Sequence, residues 1–296
     1  MNVLKPPGMT SSDAVADARH IFKIKRIGHT GTLDPGAAGV LPICIGRATR
    51  LFDLLVDKQK EYLAELCFGC ATDTQDSYGT VTQEGGRIPS LSELQGIFPR
   101  FTGEIQQIAP MYSAVSVDGK RLYQLAREGV ETVERVRDIT VSALEVQAQT
   151  GDNRYLLRVK CSRGTYVRTL CHDIGQALGA PAHLSFLLRT RSGEFCIDQA
   201  YSLAQLRQMK EEGCLEQAVI PMERVLCHMG QVRFTDLSQR GERLLRNGAE
   251  ITHDLLNEYA EQTELRVYVN GDFLGVGLAQ AGALHMKLNL NEGGAQ

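Results

Sequence analysis

The stretch Gly28-His29-Thr30-Gly31-Thr32-Leu33-Asp34-Pro35-Gly36-Ala37-Ala38-Gly39 sets one carboxylate, Asp34, in a glycine-rich, almost uncharged segment. An Asp before Pro is ordinarily a turn former, because its side chain hydrogen-bonds nearby backbone and proline fixes the next φ. Four glycines and a histidine in the same loop point further. Glycine lets backbone approach a ligand closely, and polar loop residues carry function disproportionately. Asp34 is therefore expected to be a working group.

Other chemistry finds less support. Cys67 and Cys70 form the only CxxC, with no second pair to complete four zinc ligands. Cys171-His172 could be a nucleophile and base, but neighbours on a helix point about 100° apart. Asp73 and Asp76 could hold a metal; two carboxylates three apart in a strand-end turn more often cap backbone amides, and no third ligand presents itself. The seven histidines show no metal spacing. Lys5-Pro6-Pro7-Gly8-Met9-Thr10-Ser11 matches neither phosphate-binding glycine motif. No metal and no cofactor are expected.

These candidates must be placed by alternating short strands and helices. Ser11 or Ser12 can cap a helix from Asp13 to about Phe22, and Val40 to Ile45 reads as a strand. A helix near Thr49 to Val56 precedes a strand over Glu61 to Phe68, closed by the polar turn Thr72 to Asp76. Ser90 to Phe98 reads as a helix, and Val115 to Lys120 as a strand and Asp-Gly turn. Lys120 to Glu128 has helical periodicity, ending at Gly129. Strands follow over Val136 to Leu144 and Tyr155 to Cys161, then a helix from about Arg168 that stops at Gly179. Strands outnumber a βαβ pattern, so the fold class is α+β, with a mixed, largely antiparallel central sheet and flanking helices. After about residue 229 the texture changes: Ser238 to Arg246 is helical, and Leu265 to Val269, Asn270-Gly271 and Phe273 to Leu278 give a strong hairpin signal. A small C-terminal β-rich domain over 229–296 is expected.

Composition bounds the rest. The 296 residues, 43% hydrophobic and 23% charged, describe an ordinary globular protein with ample core. No apolar run approaches the roughly 18 residues of a membrane span, and Met1 to Pro6 lacks a signal peptide's apolar core. The cytoplasm is the expected compartment, and eight scattered cysteines suit reduced thiols. Net charge is −3, yet residues 1–60 hold nine Lys/Arg against five Asp, while residues 230–296 hold six against nine Asp/Glu. With Arg158, Lys160, Arg163, Arg168, Arg189 and Arg191, the basic end could line a cleft for a polyanion, or simply form solvated faces.

In order along the chain stand KPPGMTSSDAV at 5–15, GHTGTLDPGAAGVLPICIGRATR at 28–50, KEYLAEL at 60–66, TDTQD at 72–76, RLYQLAREG at 121–129 and RGTYVRTL at 163–170. The series closely resembles the TruB family of tRNA pseudouridine synthases, which isomerise the T-loop uridine at tRNA position 55. The resemblance covers nearly all of residues 1–195. It implies the pseudouridine synthase fold over 1–228, with an RNA-gripping insertion at about 118–138 and a PUA-like domain over 229–296. Asp34 matches the family's catalytic aspartate, Tyr62 the tyrosine that stacks on the target base, and Arg168 the arginine that pairs with the aspartate. Asp76 looks like the second acid of that network. His29 matches the histidine supporting the everted T-loop bases, Tyr166 and Leu187 match residues lining the uracil pocket, and Lys5 joins them as an RNA-binding residue. Without the resemblance, Tyr62 would be a half-buried strand tyrosine and Leu187 core. One departure is Leu187-Leu188-Arg189, where the family commonly has two arginines after the leucine, so a phosphate contact is expected to be weaker.

The chemistry fits independently. Uridine becomes pseudouridine by breaking N1–C1′ and forming C5–C1′, with no oxidation and no net hydrolysis. A carboxylate kept ionised in a dry pocket needs a nearby cation. A base inside folded RNA must be flipped out at a cost of a few kcal/mol, and an aromatic face can return about 1–3 kcal/mol of stacking. The expected partner is the tRNA T-stem-loop, and the protein is expected to act as a monomer. Two other readings stay open: a tRNA-folding chaperone with incidental catalysis, and a guide-RNA-dependent synthase subunit acting on ribosomal RNA.

Overall fold

The computed structural model describes residues 1–56, 58–112, 116–117, 120–121 and 135–290. The strands are β1 (Asn2–Lys5), β2 (Ile27–His29), β3 (Ala38–Ile45), β4 (Lys60–Phe68), β5 (Cys70–Thr72), β6 (Val81–Glu84), β7 (Gly103–Ile108), β8 (Ser116–Val117), β9 (Lys120–Arg121), β10 (Val136–Gly151), β11 (Arg154–Cys161), β12 (Ala182–Ser192), β13 (Phe195–Cys196), β14 (Tyr201–Ser202), β15 (Gly230–Phe234), β16 (Ile251–Thr252), β17 (Thr263–Val269), β18 (Asp272–Gln280) and β19 (Ala283–Asn289). The helices are α1 (Ser11–Phe22), α2 (Phe52–Val56), α3 (Leu91–Ile97), α4 (Val167–Ala177), α5 (Leu203–Glu211), α6 (Met222–Val225) and α7 (Gln239–Arg246).

Ten strands form the main sheet in the order β14-β1-β3-β12-β4-β11-β10-β7, with β13 on β12 and β2 on β3. Its pairings are antiparallel except β1 with β14 and β3 with β12, so the sheet is mixed and largely antiparallel. The middle strands read as they fold. In β4 and β11 buried and partly exposed residues alternate, which places Tyr62, Ala64 and Leu66 with Tyr155, Leu157 and Val159 on one face against α4 and α3. A second core joins β1, β3, α1 and α5.

β12 has no such signature. Its sequence, AHLSFLLRTRS, mixes apolar and cationic residues, and it becomes a central strand because β3 and β4 flank it on both sides. The expected helix over Thr49 to Val56 is split into a 3₁₀ turn over Gly46–Leu51 and the short α2. The N-cap of α1 is Thr10 rather than Ser11 or Ser12. Thr10 and Asp13 exchange hydrogen bonds in a capping box, so Ser11 lies within the helix and its hydroxyl is available elsewhere. The strand expected to end near Leu144 runs on to Gly151 through register shifts against β11. Lys120–Arg121, expected to begin a helix, pair as a strand with Ser116–Val117. The rest of that helix, and most of the expected insertion at 118–138, lie outside the described residues.

From Gly230 a separate five-stranded sheet, order β15-β17-β18-β19-β16, closes over Val232, Phe234, Leu265, Val267 and Leu274. Its hairpin turns at Asn270 and Gly271, both with positive φ (51° and 91°), as a right-twisted two-residue turn requires. The two sheets meet where Cys44, Leu51 and Leu55 pack with Leu226, Val276 and Leu290. There Arg47 and Arg50 donate to the Leu290 and Asn289 carbonyls at 2.7 and 2.6 Å.

Gly39 fixes the crossing of β3 and β12. Its φ is +117°, and a Cβ there would lie 2.2 Å from the Arg189 carbonyl oxygen. Gly39→Ala is expected to destabilise the fold by about 1–3 kcal/mol. Urea unfolding measures it, and an unchanged midpoint would count against this close approach.

Candidate active site

The loop carrying Asp34 is held from below by its backbone. The Ser11 hydroxyl accepts from the Leu33 N–H at 2.8 Å and donates to the Leu33 carbonyl at 3.1 Å. Gly8 N–H donates to the Pro35 carbonyl at 2.8 Å, and Ala37 N–H to that of Asp34 at 3.0 Å. Lys5 has no exposed surface, and its ammonium donates to the carbonyls of Pro6, Met9 and Pro35 at 2.8, 2.6 and 3.3 Å. On the other side Arg189, 1% exposed, reaches the Val40, Gly31 and Thr32 carbonyls at 2.7, 3.1 and 3.4 Å. Two buried cations and one hydroxyl thus fix the main chain and leave the Asp34 carboxylate free to face a cavity.

Arg168 comes up beneath that carboxylate. It is the second residue of α4, whose N-cap, Tyr166, is clamped by Gln107: Tyr166 N–H donates to Gln107 Oε1 at 2.8 Å, and Gln107 Nε2 to the Tyr166 carbonyl at 3.0 Å. The guanidinium lies 3.6 Å from Asp34 Oδ2 and 3.6 Å from Asp76 Oδ2, and donates to the Tyr112 carbonyl at 2.6 Å. Its side chain is 6% exposed, against 43% for Asp34 and 16% for Asp76. At such separations each ion pair corresponds to about 4 kcal/mol of attraction in an effective dielectric near 20. Asp76 is itself tied down, accepting from the Thr74 hydroxyl at 2.6 Å and the Tyr78 N–H at 3.0 Å. Asp73 likewise accepts from the Thr80 N–H at 2.8 Å, so both acids cap amides.

His29, Asp34, Tyr62, Tyr166, Arg168 and Leu187 line one cavity of about 340 Å³, with Arg137 and Arg163 also in its wall. Tyr62 is 8% exposed and sits in register between Val159 and Arg189. Burial pushes its phenol pKa up, opposed by the Arg189 guanidinium beside it. Burial, then Arg189, lowers the basicity of His29 and favours the neutral imidazole. Of the expected residues, Asp76 stands behind Arg168 rather than in the wall. Lys5, expected to bind RNA, has no exposed surface, and its ammonium is enclosed by carbonyls of its own chain, one of them in the Asp34 loop. Cys171 is buried with its thiol pushed up to about 12, which leaves it no nucleophilic use. Gln107 and the bracing role of Arg189 carry no sequence signal; only the folded contacts reveal them.

The fold has counterparts. The chain superimposes over 98% of its length on two solved structures. One is an H/ACA RNP bound to a substrate RNA containing 2'-deoxyuridine, with TM-score 0.72, 26% identity and 84% of that chain covered. The other is a Cbf5-Nop10-Gar1 complex, with TM-score 0.73, 28% identity and 84% covered. The family described as "TruB family pseudouridylate synthase (N terminal domain)" matches residues 19–167, and fold and site together define a pseudouridine synthase. Residues 168–227 match "tRNA pseudouridylate synthase B C-terminal domain". Proteins named tRNA pseudouridine synthase B are similar over most of their length. That of Caldanaerobacter subterraneus subsp. tengcongensis is 42% identical over 291 residues, 97% of each chain. That of Alkaliphilus oremlandii is 40% identical over 284 residues, 95% of this chain and 92% of its own. The chain belongs to the TruB family.

The enclosure of Lys5 has a measurable signature. Burial lowers its pKa from 10.5 to about 8, with Asp34 opposing and Arg189 adding to the shift. Between those values the unfolded chain holds a proton that the folded one has released, so this residue makes stability rise with pH. Lys5→Met is expected to flatten the rise in urea-unfolding free energy from about pH 8 to pH 10.5. An identical slope in both proteins would overturn the assignment.

Proposed function

We propose that this protein isomerises the T-loop uridine at position 55 of tRNA to pseudouridine, with Asp34 as the working carboxylate. The observation that carries the reading is the Asp34–Arg168–Asp76 arrangement opening onto a cavity walled by Tyr62, a space suited to one flipped nucleotide. The flipped uracil stacks on Tyr62 between Tyr166 and Leu187, and His29 supports the everted loop. Asp34 promotes cleavage of N1–C1′, the uracil rotates, and C5–C1′ forms. The C5 proton leaves and N1 gains one, so atoms and electrons balance. Arg168 keeps Asp34 anionic as solvent is displaced, and Asp76 holds Arg168 in place. Residues 1–228 supply catalysis, and 229–296 act as a PUA-like module that reads RNA shape. The protein works as a cytoplasmic monomer on tRNA; no helix among the described residues is long and apolar enough to cross a membrane.

One structural neighbour is an RNP bound to a substrate RNA and another a complex of several proteins, which makes a guide-RNA-dependent role the second reading. Activity of the purified chain on naked tRNA separates the two.

Asp34→Asn keeps shape and removes charge. It is expected to abolish turnover while RNA binding persists, and substantial residual isomerisation would remove Asp34 from the mechanism. Arg168→Met is expected to slow single turnover by about 100-fold or more, the scale of losing one preorganised electrostatic group. Near-normal rates would sink the pairing.

Recognition of unstacked nucleotides predicts that an isolated T-stem-loop is modified nearly as well as whole tRNA, because RNA is read mainly in loops. The same sequence locked in a continuous duplex is expected to be inert. Tritium release from C5-labelled uridine measures both, and equal turnover on the duplex would overturn loop reading.

A further inference from the structure

Among the described residues three aromatic side chains are exposed, Phe52, Tyr78 and Phe186, and two of them border the Asp34 loop. Phe52 opens α2, is 40% exposed and lines the cavity together with Asp34 and Tyr62. Tyr78 is 73% exposed. Its N–H donates to Asp76 Oδ1 at 3.0 Å, and its ring lies so close to Gly36 that a Cβ there would fall 2.0 Å from the ring edge. Gly36 follows Asp34 by two residues, at most about 7 Å of chain. The ring therefore stands against the same loop that carries the carboxylate, two residues along from it.

Single exposed apolar groups are ordinary. Two rings held at one catalytic loop call for a common use. A base that leaves its stack strips its neighbours of a partner face, and this is part of the cost of flipping. Aromatic rings restore that face for any base, without sequence preference.

We propose that Phe52 and Tyr78 are stacking platforms for the nucleotides flanking the flipped uridine, so that the strand is gripped through unstacked bases at the mouth of the cavity. The proposal rests on the RNA-isomerase reading. It assigns the two rings to substrate RNA, and Tyr78 to a surface that an incoming nucleotide covers.

The test uses the full chain and a T-stem-loop with 2-aminopurine on either side of the target. The wild type must first modify the unlabelled stem-loop; if it does not, the functional reading fails whatever the rings do. Tyr78→Ala and Phe52→Leu are expected to raise Kd and KM roughly 5- to 100-fold, the scale of one lost base–ring stack. The loss is expected on KM far more than on kcat. Tyr78→Phe and Phe52→Tyr are expected to restore binding. Fluorescence of the flanking 2-aminopurine is expected to be quenched by the wild type and to recover with the Ala or Leu variant. Thermal melts confirm that each variant folds. A fall in kcat at unchanged Kd would make the rings braces of the loop. Unchanged Kd, KM and quenching would make them a surface for something other than this RNA. Either result overturns the proposal.

Discussion

Arg168 is the group on which the rest of the site depends. Nearly buried, it lies at equal distance from two carboxylates, one facing solvent and one enclosed. A guanidinium there needs compensation on both sides, since an unpaired buried charge costs several kcal/mol. Asp76 and the Tyr112 carbonyl provide it from the protein side. The remaining attraction points at Asp34. The fold therefore arranges three things around this one cation: the Gln107 clamp at the start of α4, the turn that holds Asp76, and the loop that brings Asp34 over it.

The loop is held by main-chain hydrogen bonds beside the packing of Leu33 and Ala37. Its segment carries few large side chains, so it has little apolar area to bury. Lys5, Ser11 and Arg189 add to this hold by donating to carbonyls of Pro35, Leu33, Val40 and Gly31. Charge-assisted bonds of this kind are stronger than neutral ones, and inside the protein they lose little to water. The same arrangement changes the meaning of the basic N-terminal region. Of its cations, Lys5, Arg19, Arg47, Arg50 and Lys60 all donate to carbonyls of their own chain. Excess charge there is largely structural. The cavity wall holds Lys60 from that region together with Arg137 from β10, Arg163 from the turn before α4, Arg168 and Arg189.

The C-terminal sheet shows a related economy. Arg47 and Arg50, from the turn after β3, hold the carbonyls that end β19, while apolar side chains from both sheets close the seam. The acidic C-terminal sheet is thereby seated on the element that leads from the Asp34 loop to α2.

The sequence by itself determined the glycine-rich setting of Asp34, the alternation that makes β4 a half-buried strand bearing Tyr62, the helix that follows Ser90 and the Asn270-Gly271 hairpin. These are local: each depends on spacing within a few residues, where backbone sterics and capping decide the outcome. The ordered motifs gave the family before any geometry. Tertiary structure alone decided the rest. β12 is a strand because its neighbours impose it, against a mixed pattern. Lys5 and Arg189, whose side chains look made for phosphate, turn inward: Arg189 to carbonyls of Gly31, Thr32 and Val40 far along the chain, Lys5 to those of Pro6 and Met9 nearby and to that of Pro35. Phe52 and Tyr78 gain meaning only from where they stand beside that loop. Contacts between residues distant in sequence leave no period to read, so charge and exposure had to wait for the fold.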